Sequence, residues 1–238
     1  MTTATTRGAE NSRRTGGARL WVRRIVRTVA VLVAIPLILV PVYLVVSPPF
    51  TPLMLYSRLF APVTRTWVGL DAMAPSLAAS VVMSEDGRFC EHHGVDWQEL
   101  MRVLDRNAGP NRGASTVTMQ TVKNLFLWQS PLSYLRKAIE IPLALYADLV
   151  WSKRRTMEIY LNVVEWGPGI FGAEAAAEAY FKRPAKDLTP GQAALLVAAL
   201  PNPIERNPGA PTRFLRVRAN VIAARARQAG AYIDCLKP

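Results

Sequence analysis

Acidic and imidazole side chains are concentrated in one short stretch of the sequence. The run from Ser84 to Asp96 reads SEDGRFCEHHGVD and follows an apolar run, Leu77 to Met83. Carboxylates and histidines this dense, at the end of a predicted helix, suit general acid–base catalysis or metal ligation. A solvated charged turn has the same composition, so the choice between these interpretations depends on what lies downstream.

Cationic side chains recur downstream at helical spacing. Arg136, Lys137 and Glu140 lie three and four residues apart, so they share one face of a predicted helix. Taken alone, they describe a surface ion pair of little energetic value. A second basic run begins at Lys153, at the start of the next predicted helix, where the helix dipole disfavours positive charge. Cations in this place predict an anionic partner that the chain does not itself supply.

A polar face on the predicted helix 115–127 completes the set of candidate groups. The sequence therefore offers two separated carboxylates, Glu85 and Glu140, together with a cationic cluster and a polar helix face. The polar residues of that face are Ser115, Thr116, Gln120, Lys123 and Asn124.

The stretch from Thr28 to Ser47 contains no charged residue and predicts a transmembrane helix. About 20 helical residues span about 30 Å, the thickness of the bilayer hydrocarbon, and transmembrane helices tolerate proline. A cleaved signal peptide is disfavoured because no small-x-small cleavage site follows. Arginines just upstream predict a cytoplasmic N-terminus, so residues 48–238 are expected outside the cytoplasm. That location excludes nucleic acid as a partner.

The net charge of +12 is divided evenly between the N-terminal tail and the rest of the chain. The first 27 residues hold seven Arg and one Glu, a charge of +6, which leaves +6 for the remainder. Residues 1–18 contain little to bury and are predicted to be disordered. The predicted organisation is a cytoplasmic basic tail (1–27), a transmembrane helix (28–47), a membrane-proximal segment (48–75) and one folded domain (76–238). The membrane-proximal segment is apolar and aromatic, as expected either of core or of a surface at the lipid headgroups.

Beyond that segment the pattern is helical almost throughout, and the predicted fold class is mostly α. Residues 107–113 and 201–211 are predicted loops. The sequence GPGIFG at 167–172 matches the dinucleotide-binding fingerprint but lacks the preceding strand that this motif requires. The two cysteines, Cys90 and Cys235, are compatible with free thiols or with one disulfide. Helices are predicted over 115–127, 131–150, 153–164, 173–181, 189–200 and 212–231, with a shorter one capped by Asp96.

Five short motifs occur in one order between about residue 70 and residue 205, and they resemble those of the monofunctional peptidoglycan glycosyltransferases. This polymerising domain is shared with bifunctional penicillin-binding proteins. Met119 stands where the second motif usually has Gln, so one polar contact with substrate is expected to be missing. The matching residues are Glu85, Asp86, Phe89, His92 and Gly94 (first motif); Gly113, Ser115, Thr116 and Gln120 (second); Arg136, Lys137 and Glu140 (third); Lys153, Tyr160, Leu161 and Asn162 (fourth); and Gly167, Gly172, Ala175, Ala176, Tyr180 and Phe181 (fifth).

The resemblance implies a lysozyme-like, mostly α fold with a cleft that opens at the membrane. It implies elongation of glycan strands from lipid II with release of undecaprenyl pyrophosphate, in cell-wall biogenesis. Glu85 is the expected base for the acceptor's 4-hydroxyl and Glu140 the second catalytic carboxylate, and displacement at the donor's anomeric carbon gives a β-1,4 linkage with inversion. The expected substrate-binding residues are Asp86, Phe89, His92, Ser115, Thr116, Gln120, Lys123, Asn124, Arg136, Lys137, Lys153, Arg155 and Asn162.

The leaving pyrophosphate needs positive charge near it. The sequence has no Asp-x-Asp motif of the kind that holds a metal in many nucleotide-sugar transferases. Fixed cations, a divalent metal ion or both are therefore expected to stabilise the pyrophosphate, and no other cofactor is expected.

The expected location is the bacterial cytoplasmic (inner) membrane, crossed once, with the catalytic domain on the outer, periplasmic face. The expected partners are lipid II, the growing glycan chain and membrane lipid, with penicillin-binding proteins or division proteins as candidate protein partners. Two alternatives stay open. A membrane-anchored lytic muramidase of lysozyme-like fold would need no pyrophosphate-binding cations, and an inactive cell-wall scaffold would need neither Glu85 nor Glu140.

Overall fold

The computed structural model describes residues 5–104, 113–127 and 133–237. The chain divides after Val42 into an N-terminal unit and a larger body, and each is described by itself. Residues 107–112 of one predicted loop, and the first two residues of the predicted helix 131–150, lie outside the described residues.

The N-terminal unit is one long helix, α1 (Thr5–Val42). Its part from Arg19 to Val42 is long and apolar enough to cross a membrane. Pro36 and Pro41 lie inside α1 without ending it, as transmembrane helices permit. The apolar helix is thus found, although it ends at Val42 instead of Ser47. Residues 5–18 are helical where their composition predicts disorder, because extending an existing helix costs far less than nucleating one.

The body is built mainly from short and medium helices, which confirms the prediction of a mostly α fold. Three short strands form the sheet of its described part. The helices are α2 (Pro52–Ser57), α3 (Pro75–Glu85), α4 (Trp97–Leu104), α5 (Val117–Phe126), α6 (Ser133–Val150), α7 (Lys153–Val163), α8 (Ala173–Phe181), α9 (Pro190–Ala199) and α10 (Arg213–Arg227); the strands are β1 (Thr64–Arg65), β2 (Glu165–Gly167) and β3 (Ile170–Phe171); single 3₁₀ segments lie at Leu70–Ala72, Ala185–Asp187 and Gly230–Leu236.

Polar side chains begin the helices that carry the motifs. Thr116 precedes α5 and its hydroxyl accepts the N–H of Met119 at 3.1 Å. Asp96 precedes α4 and accepts the N–H of Glu99 at 3.0 Å, which confirms the predicted cap. Thr189 begins α9 with a capping box. These bonds satisfy N–H groups that have no partner within their own helix, so they fix where each helix begins.

The centre of the core lies where α3 packs against α9 and α10. Helix α9 is rich in alanine, and small side chains let neighbouring helices approach closely. Residues 77–82 of α3 are all buried. Because the middle of α3 is fixed on several sides, its last residue, Glu85, is held in a definite place.

The stretch 167–172 belongs to a small hairpin. Strand β3 pairs antiparallel with β2 and parallel with β1. Gly169 makes the turn with a positive φ of 70°, and a Cβ there would lie 2.5 Å from the carbonyl oxygen of Pro62. Gly167 and Gly169 lie in β2 and in the hairpin turn, whereas the glycines of the fingerprint lie between a strand and the helix that follows it, so the dinucleotide-binding interpretation is excluded here.

Cys90 and Cys235 form a disulfide. The bond ties the 3₁₀ segment Gly230–Leu236, near the C-terminus, to the loop that follows Glu85. Disulfides persist in oxidising compartments, so the pairing fits a body that lies outside the cytoplasm.

Candidate active site

Glu85 is the last residue of α3 and its side chain is partly exposed. The hydroxyl of Ser84 donates a hydrogen bond to Glu85 Oε1 at 3.1 Å. A carboxylate that is held at one point and reachable from solvent is suited to accept a proton from a substrate.

Asp86, the next residue, is buried and bonded on both carboxylate oxygens. Its Oδ1 lies 2.8 Å from Nε2 of His92, and its Oδ2 accepts the N–H of Val117 at 2.8 Å. Val117 is the first residue of α5, where a carboxylate is favoured by the helix dipole. Asp86 therefore joins the end of α3 to the start of α5 and fixes the backbone next to Glu85.

A second buried bond joins the same two motifs. The Thr116 hydroxyl donates to the carbonyl oxygen of Gly94 at 2.6 Å. Gly94 has a φ of +75°, and a Cβ there would lie 2.5 Å from the carbonyl oxygen of Ala144. Only glycine fits this close approach of the loop to α6, which explains its place in the first motif.

Charged groups on α5 and α6 form what we call the α6 cluster: Lys123, Arg136, Lys137 and Glu140. Glu140 is buried and lies 2.9 Å from Arg136 Nε and 3.7 Å from Lys137 Nζ. Lys137 also donates to the hydroxyl of Ser115 at 2.6 Å. The three residues of the third motif therefore share one face of α6, as predicted.

Burial lowers the pKa of Lys123 and Lys137 below the ordinary value of 10.5, while the charge of Glu140 opposes this effect. Nearby positive charges lower both pKa values further: Arg136 and Lys137 for Lys123, and Arg136 for Lys137. Ammonium groups that are poorly hydrated and repelled by their neighbours gain most from an arriving anion. The electrostatics of the α6 cluster thus favour a phosphate-bearing ligand.

Bonds from the neighbour of Glu85 and from the α6 cluster converge on the start of α5. Asp86, adjacent to Glu85, bonds to Val117, and Lys137 bonds to Ser115, two residues earlier. Tyr160 on α7 is close as well: its pKa is raised well above 10.0, first by burial and then by the charges of Glu85 and Asp86. The backbone beside Glu85 and the side chain of Lys137 are therefore both tied to residues 115–117.

We call the basic run at the start of α7 the α7 cluster: Lys153, Arg154 and Arg155. Its partners differ from those of the α6 cluster. Each of its three cations pairs with a carboxylate of the chain. The pairs are Lys153 with Asp148 at 2.7 Å, Arg154 with Asp71 at 2.6 and 2.8 Å, and Arg155 with Glu158. The expectation of an anionic partner that the chain does not supply is wrong for these residues, because the carboxylates come from the end of α6, from the 3₁₀ segment Leu70–Ala72 and from one turn along α7.

The comparisons with known proteins identify the family. A family model described as transglycosylase matches residues 54–227. The chain belongs to the transglycosylase family. A protein of Mesorhizobium japonicum named biosynthetic peptidoglycan transglycosylase is 55% identical over 223 residues, covering 92% of this chain and 94% of that protein. Proteins of the same name from Brucella suis and Agrobacterium fabrum are 52% and 50% identical; each match covers 92% of this chain, and 100% and 98% of those proteins.

In this transglycosylase several predicted substrate-binding residues lie inside the protein. Phe89 and Asn162 expose 0% of their surface and Thr116 exposes 1%. Asn162 bonds to both main-chain groups of Val68, which ties α7 to the segment after β1. For these three side chains the correction is that they support the site from within the core and offer no surface to substrate. Asp86, His92 and Asn124 are also buried, with 6%, 8% and 8% exposed.

Other predicted residues on or next to α5 and α6 keep exposed surface. Gln120 accepts a hydrogen bond from the hydroxyl of Tyr160 at 3.2 Å. Ser115, Lys123 and Lys137 are likewise partly exposed. Contact of these groups with substrate stays a prediction. Arg155 differs, because its guanidinium bonds to the carbonyl oxygens of Tyr43 and Val46 as well as to Glu158.

Met119 does not remove a polar contact from the surface of the site. Its side chain is fully buried, on the core face of α5. An apolar residue is well suited to that position, and the expectation of a missing groove contact is therefore corrected.

Sequence reasoning missed Asp148 and gave Tyr160 no role. Asp148 lies 2.7 Å from Lys153 Nζ and 3.5 Å from His93 Nδ1, but no local pattern marks it. Within the described residues no three His, Cys, Asp or Glu side chains are grouped so that they could hold a metal ion.

Proposed function

We propose that this protein polymerises lipid II into β-1,4-linked glycan strands and releases undecaprenyl pyrophosphate. Membership of the transglycosylase family supports a peptidoglycan glycosyltransferase of cell-wall synthesis. The observation that carries the finer proposal is that Asp86, next to Glu85, and Lys137 of the α6 cluster both bond to residues at the start of α5. A hydrolase of similar fold needs the carboxylate but has no use for the partly buried lysines of the α6 cluster.

Glu85 acts as the general base. A sugar hydroxyl is a poor nucleophile near neutral pH, and a positioned carboxylate that accepts its proton accelerates attack by roughly 10²- to 10⁴-fold. The Asp86 bonds hold the backbone beside Glu85 in place, so the carboxylate needs little reorganisation as the acceptor's 4-hydroxyl arrives.

The α6 cluster stabilises the leaving group. As the acceptor oxygen bonds to the donor's anomeric carbon, the bond from that carbon to the pyrophosphate oxygen breaks and its electron pair leaves with the pyrophosphate. The proton passes to Glu85. Lys123, Lys137 and Arg136 face the growing negative charge, and Glu140 orients them. One displacement inverts the anomeric carbon, without a covalent sugar–enzyme intermediate.

The protein is anchored by α1 in the bacterial cytoplasmic membrane, with its N-terminus inside and its body on the outer face. Arginines at the start of the span Arg19–Val42 support this orientation. Large apolar side chains are exposed just after the span, which favours contact with lipid over burial in core. They are Phe50, Leu55, Tyr56, Leu59 and Phe60. Both substrates are lipid-borne, so tethering raises their effective concentration.

A divalent metal that assists release of the pyrophosphate, and penicillin-binding or division proteins as partners, belong to the same proposal. The metal would be bound with the pyrophosphate, since the described residues contain no protein site for one. Chelation by EDTA during a polymerisation assay tests this point, and an unchanged rate would remove the metal from the mechanism.

The deciding experiment incubates the purified full chain with lipid II and separates the products by size. Polymer supports the proposal, whereas shortening of preformed glycan strands would indicate the muramidase, and no reaction would indicate a scaffold. The variant Glu85→Gln keeps the shape of the side chain and should lose polymerisation by at least about 10²-fold with an unchanged melting temperature. Near-full activity of this variant would remove Glu85 as the base.

A further inference from the structure

The segment that follows α1 is held by arginine side chains through its main chain. Residues 43–50 form neither helix nor strand, and Pro48 and Pro49 have no N–H to donate. Arg155 donates to the carbonyl oxygens of Tyr43 and Val46, both at 2.9 Å. Arg65 donates to the carbonyl oxygens of the two prolines, at 2.5 Å for Pro48 and 3.1 Å for Pro49.

An indole ring lies between the two arginines. The guanidinium carbon of Arg65 is 5.1 Å from the centre of the Trp67 ring, and that of Arg155 is 5.5 Å from it. Both distances fall within the range of attractive cation–π contacts. Arg155 is held further by its pair with Glu158, one turn along α7. Contacts with Trp67 and Glu158 therefore orient the two guanidinium groups independently of the segment 43–50.

The same helix turn reaches the candidate active site. Lys153, two residues before Arg155, donates to the carbonyl oxygen of His92 at 2.6 Å, in the loop that follows Glu85. Next to Trp67, Val68 exchanges two hydrogen bonds with Asn162 of α7. Arg155, which holds the segment 43–50, and Lys153, which holds the Glu85 loop, thus lie on the same helix, α7. Asn162 of α7 ties the Trp67 segment to that helix.

We propose that Arg65, Trp67 and Arg155 form an exit latch, which fastens the first residues after the membrane helix to the catalytic body. The latch limits how the active site can move above the lipid surface, so that lipid-borne substrate is presented to Glu85 in one orientation. The inference rests on the proposed function, because only a substrate held in a bilayer makes the orientation matter. These three are positioning residues and touch no reacting atom.

The latch is tested with the full chain in two media, using lipid II as substrate in phospholipid vesicles and in detergent micelles. Micelles impose no flat surface, so the ratio of the vesicle rate to the micelle rate reports orientation, whereas a general structural defect lowers both rates. Arg65→Gln should lower this ratio about ten-fold, since small misplacements of reacting groups carry large rate penalties. Arg58→Gln is the matched control, because the Arg58 side chain is exposed and forms no hydrogen bond or ion pair within the described chain.

A second measurement follows the segment itself. Chymotrypsin cuts after aromatic and leucine residues, and Tyr43, Leu44 and Phe50 lie in or next to the latched stretch. Cleavage at these sites in vesicles should be faster for Arg65→Gln and Arg155→Gln than for the wild type and Arg58→Gln. This readout needs no substrate and stands even if the wild type makes no polymer, a result that would contradict the proposed function instead.

Two results would overturn the latch. The first is a wild-type rate of cleavage in both latch variants. The second is an unchanged vesicle-to-micelle ratio in Arg65→Gln, including the case in which both rates fall together. A melting curve identifies a variant that does not fold. In that case Trp67→Leu is used instead, because it removes the ring and keeps both arginines, and the same two outcomes are expected of it.

Discussion

The α6 cluster and the α7 cluster are both basic, both lie on helices and both include residues of the family motifs, but they are built differently. Every cation of the α7 cluster has its own carboxylate: Asp148 for Lys153, Asp71 for Arg154 and Glu158 for Arg155. In the α6 cluster, Glu140 lies near both Arg136 and Lys137. It is also the carboxylate whose charge acts on Lys123.

This difference separates positive charge that holds the chain together from positive charge that is available to a ligand. A cation with its own carboxylate and a carbonyl acceptor has little left to offer a phosphate. Lysines that share one carboxylate, with pKa values lowered by burial, are stabilised when an anion arrives. The α6 cluster is therefore the expected pyrophosphate site, and the α7 cluster is mainly a fastening point.

The largest expected effect is on activity, from a change in the α6 cluster. Lys137→Ala should lower kcat for lipid II polymerisation by about 10²- to 10³-fold, because a preorganised donor to developing charge is lost. Its melting temperature should change little, since Lys137 is partly exposed and its partner Glu140 keeps Arg136. Steady-state rates and a melting curve check both statements. A rate close to that of the wild type would place the pyrophosphate elsewhere.

A change in the α7 cluster should act on stability instead. Lys153→Ala leaves the carboxylate of Asp148 buried and without its ammonium partner, which should lower the free energy of unfolding by about 3 kcal/mol. Urea unfolding in detergent measures this. The double variant Lys153→Ala, Asp148→Asn removes the stranded charge and should regain part of the loss. A double variant whose losses simply add would show that the pair contributes little.

Lys153 also provides the test that could contradict the distinction between the two clusters. The family resemblance assigns it to substrate, whereas its ammonium lies 2.7 Å from Asp148 and 2.6 Å from the carbonyl oxygen of His92. If Lys153→Ala lost activity as strongly as Lys137→Ala while keeping its stability, the two clusters would have to be regarded as one site.

The C-terminal segment gives a smaller test, because it is fastened twice. The guanidinium of Arg154 donates to the carbonyl oxygen of Leu236, and the neighbouring Cys235 is bonded to Cys90. Removing the disulfide, which closes a loop of 145 residues, should cost roughly 2–4 kcal/mol in the free energy of unfolding. Arg154→Ala should cost about 1 kcal/mol or less, since its partner Asp71 is largely exposed. Melting curves of Cys90→Ser with Cys235→Ser, and of Arg154→Ala, should show this order; the reverse order would contradict it.

Much of this molecule could be predicted from local pattern. The caps at Asp96 and Thr189, the helix α8, and the shared face of Arg136, Lys137 and Glu140 depend on residues within a few positions of one another. Such contacts are set by helix geometry, which spacing alone determines.

What could not be predicted depends on contacts between distant segments. Arg154 bonds to Asp71, 83 positions earlier in the chain, and no pattern in the sequence marks that contact. Asp148 is only five residues from Lys153, but it lies on α6 and Lys153 begins α7, so spacing along one helix does not mark this pair either. The family motifs identify residues that matter without saying whether they line the site or support it. Phe89 and Asn162 are in the motifs and expose no surface, because the motif loop and α7 need a core beneath them.

The smallest expected effect is a shift in pH dependence that again separates the clusters. The pKa of Lys137 is lowered from 10.5, mainly by burial, so its positive charge is lost at a lower pH than that of an ordinary lysine. Activity should therefore fall on the alkaline side before an ordinary lysine would titrate. Lys137→Arg should move this fall to higher pH, since a guanidinium stays charged above pH 12.

Stability should change in the opposite direction over the same range, and this identifies the cause. The folded state binds the Lys137 proton less tightly than the unfolded state, so this group's contribution to stability rises as the pH increases from the lowered pKa towards 10.5. Loss of activity without loss of the fold thus reports loss of a cation from the site. An alkaline limit that is unchanged in Lys137→Arg, or that coincides with unfolding, would remove Lys137 as its source and weaken the distinction between the α6 and α7 clusters.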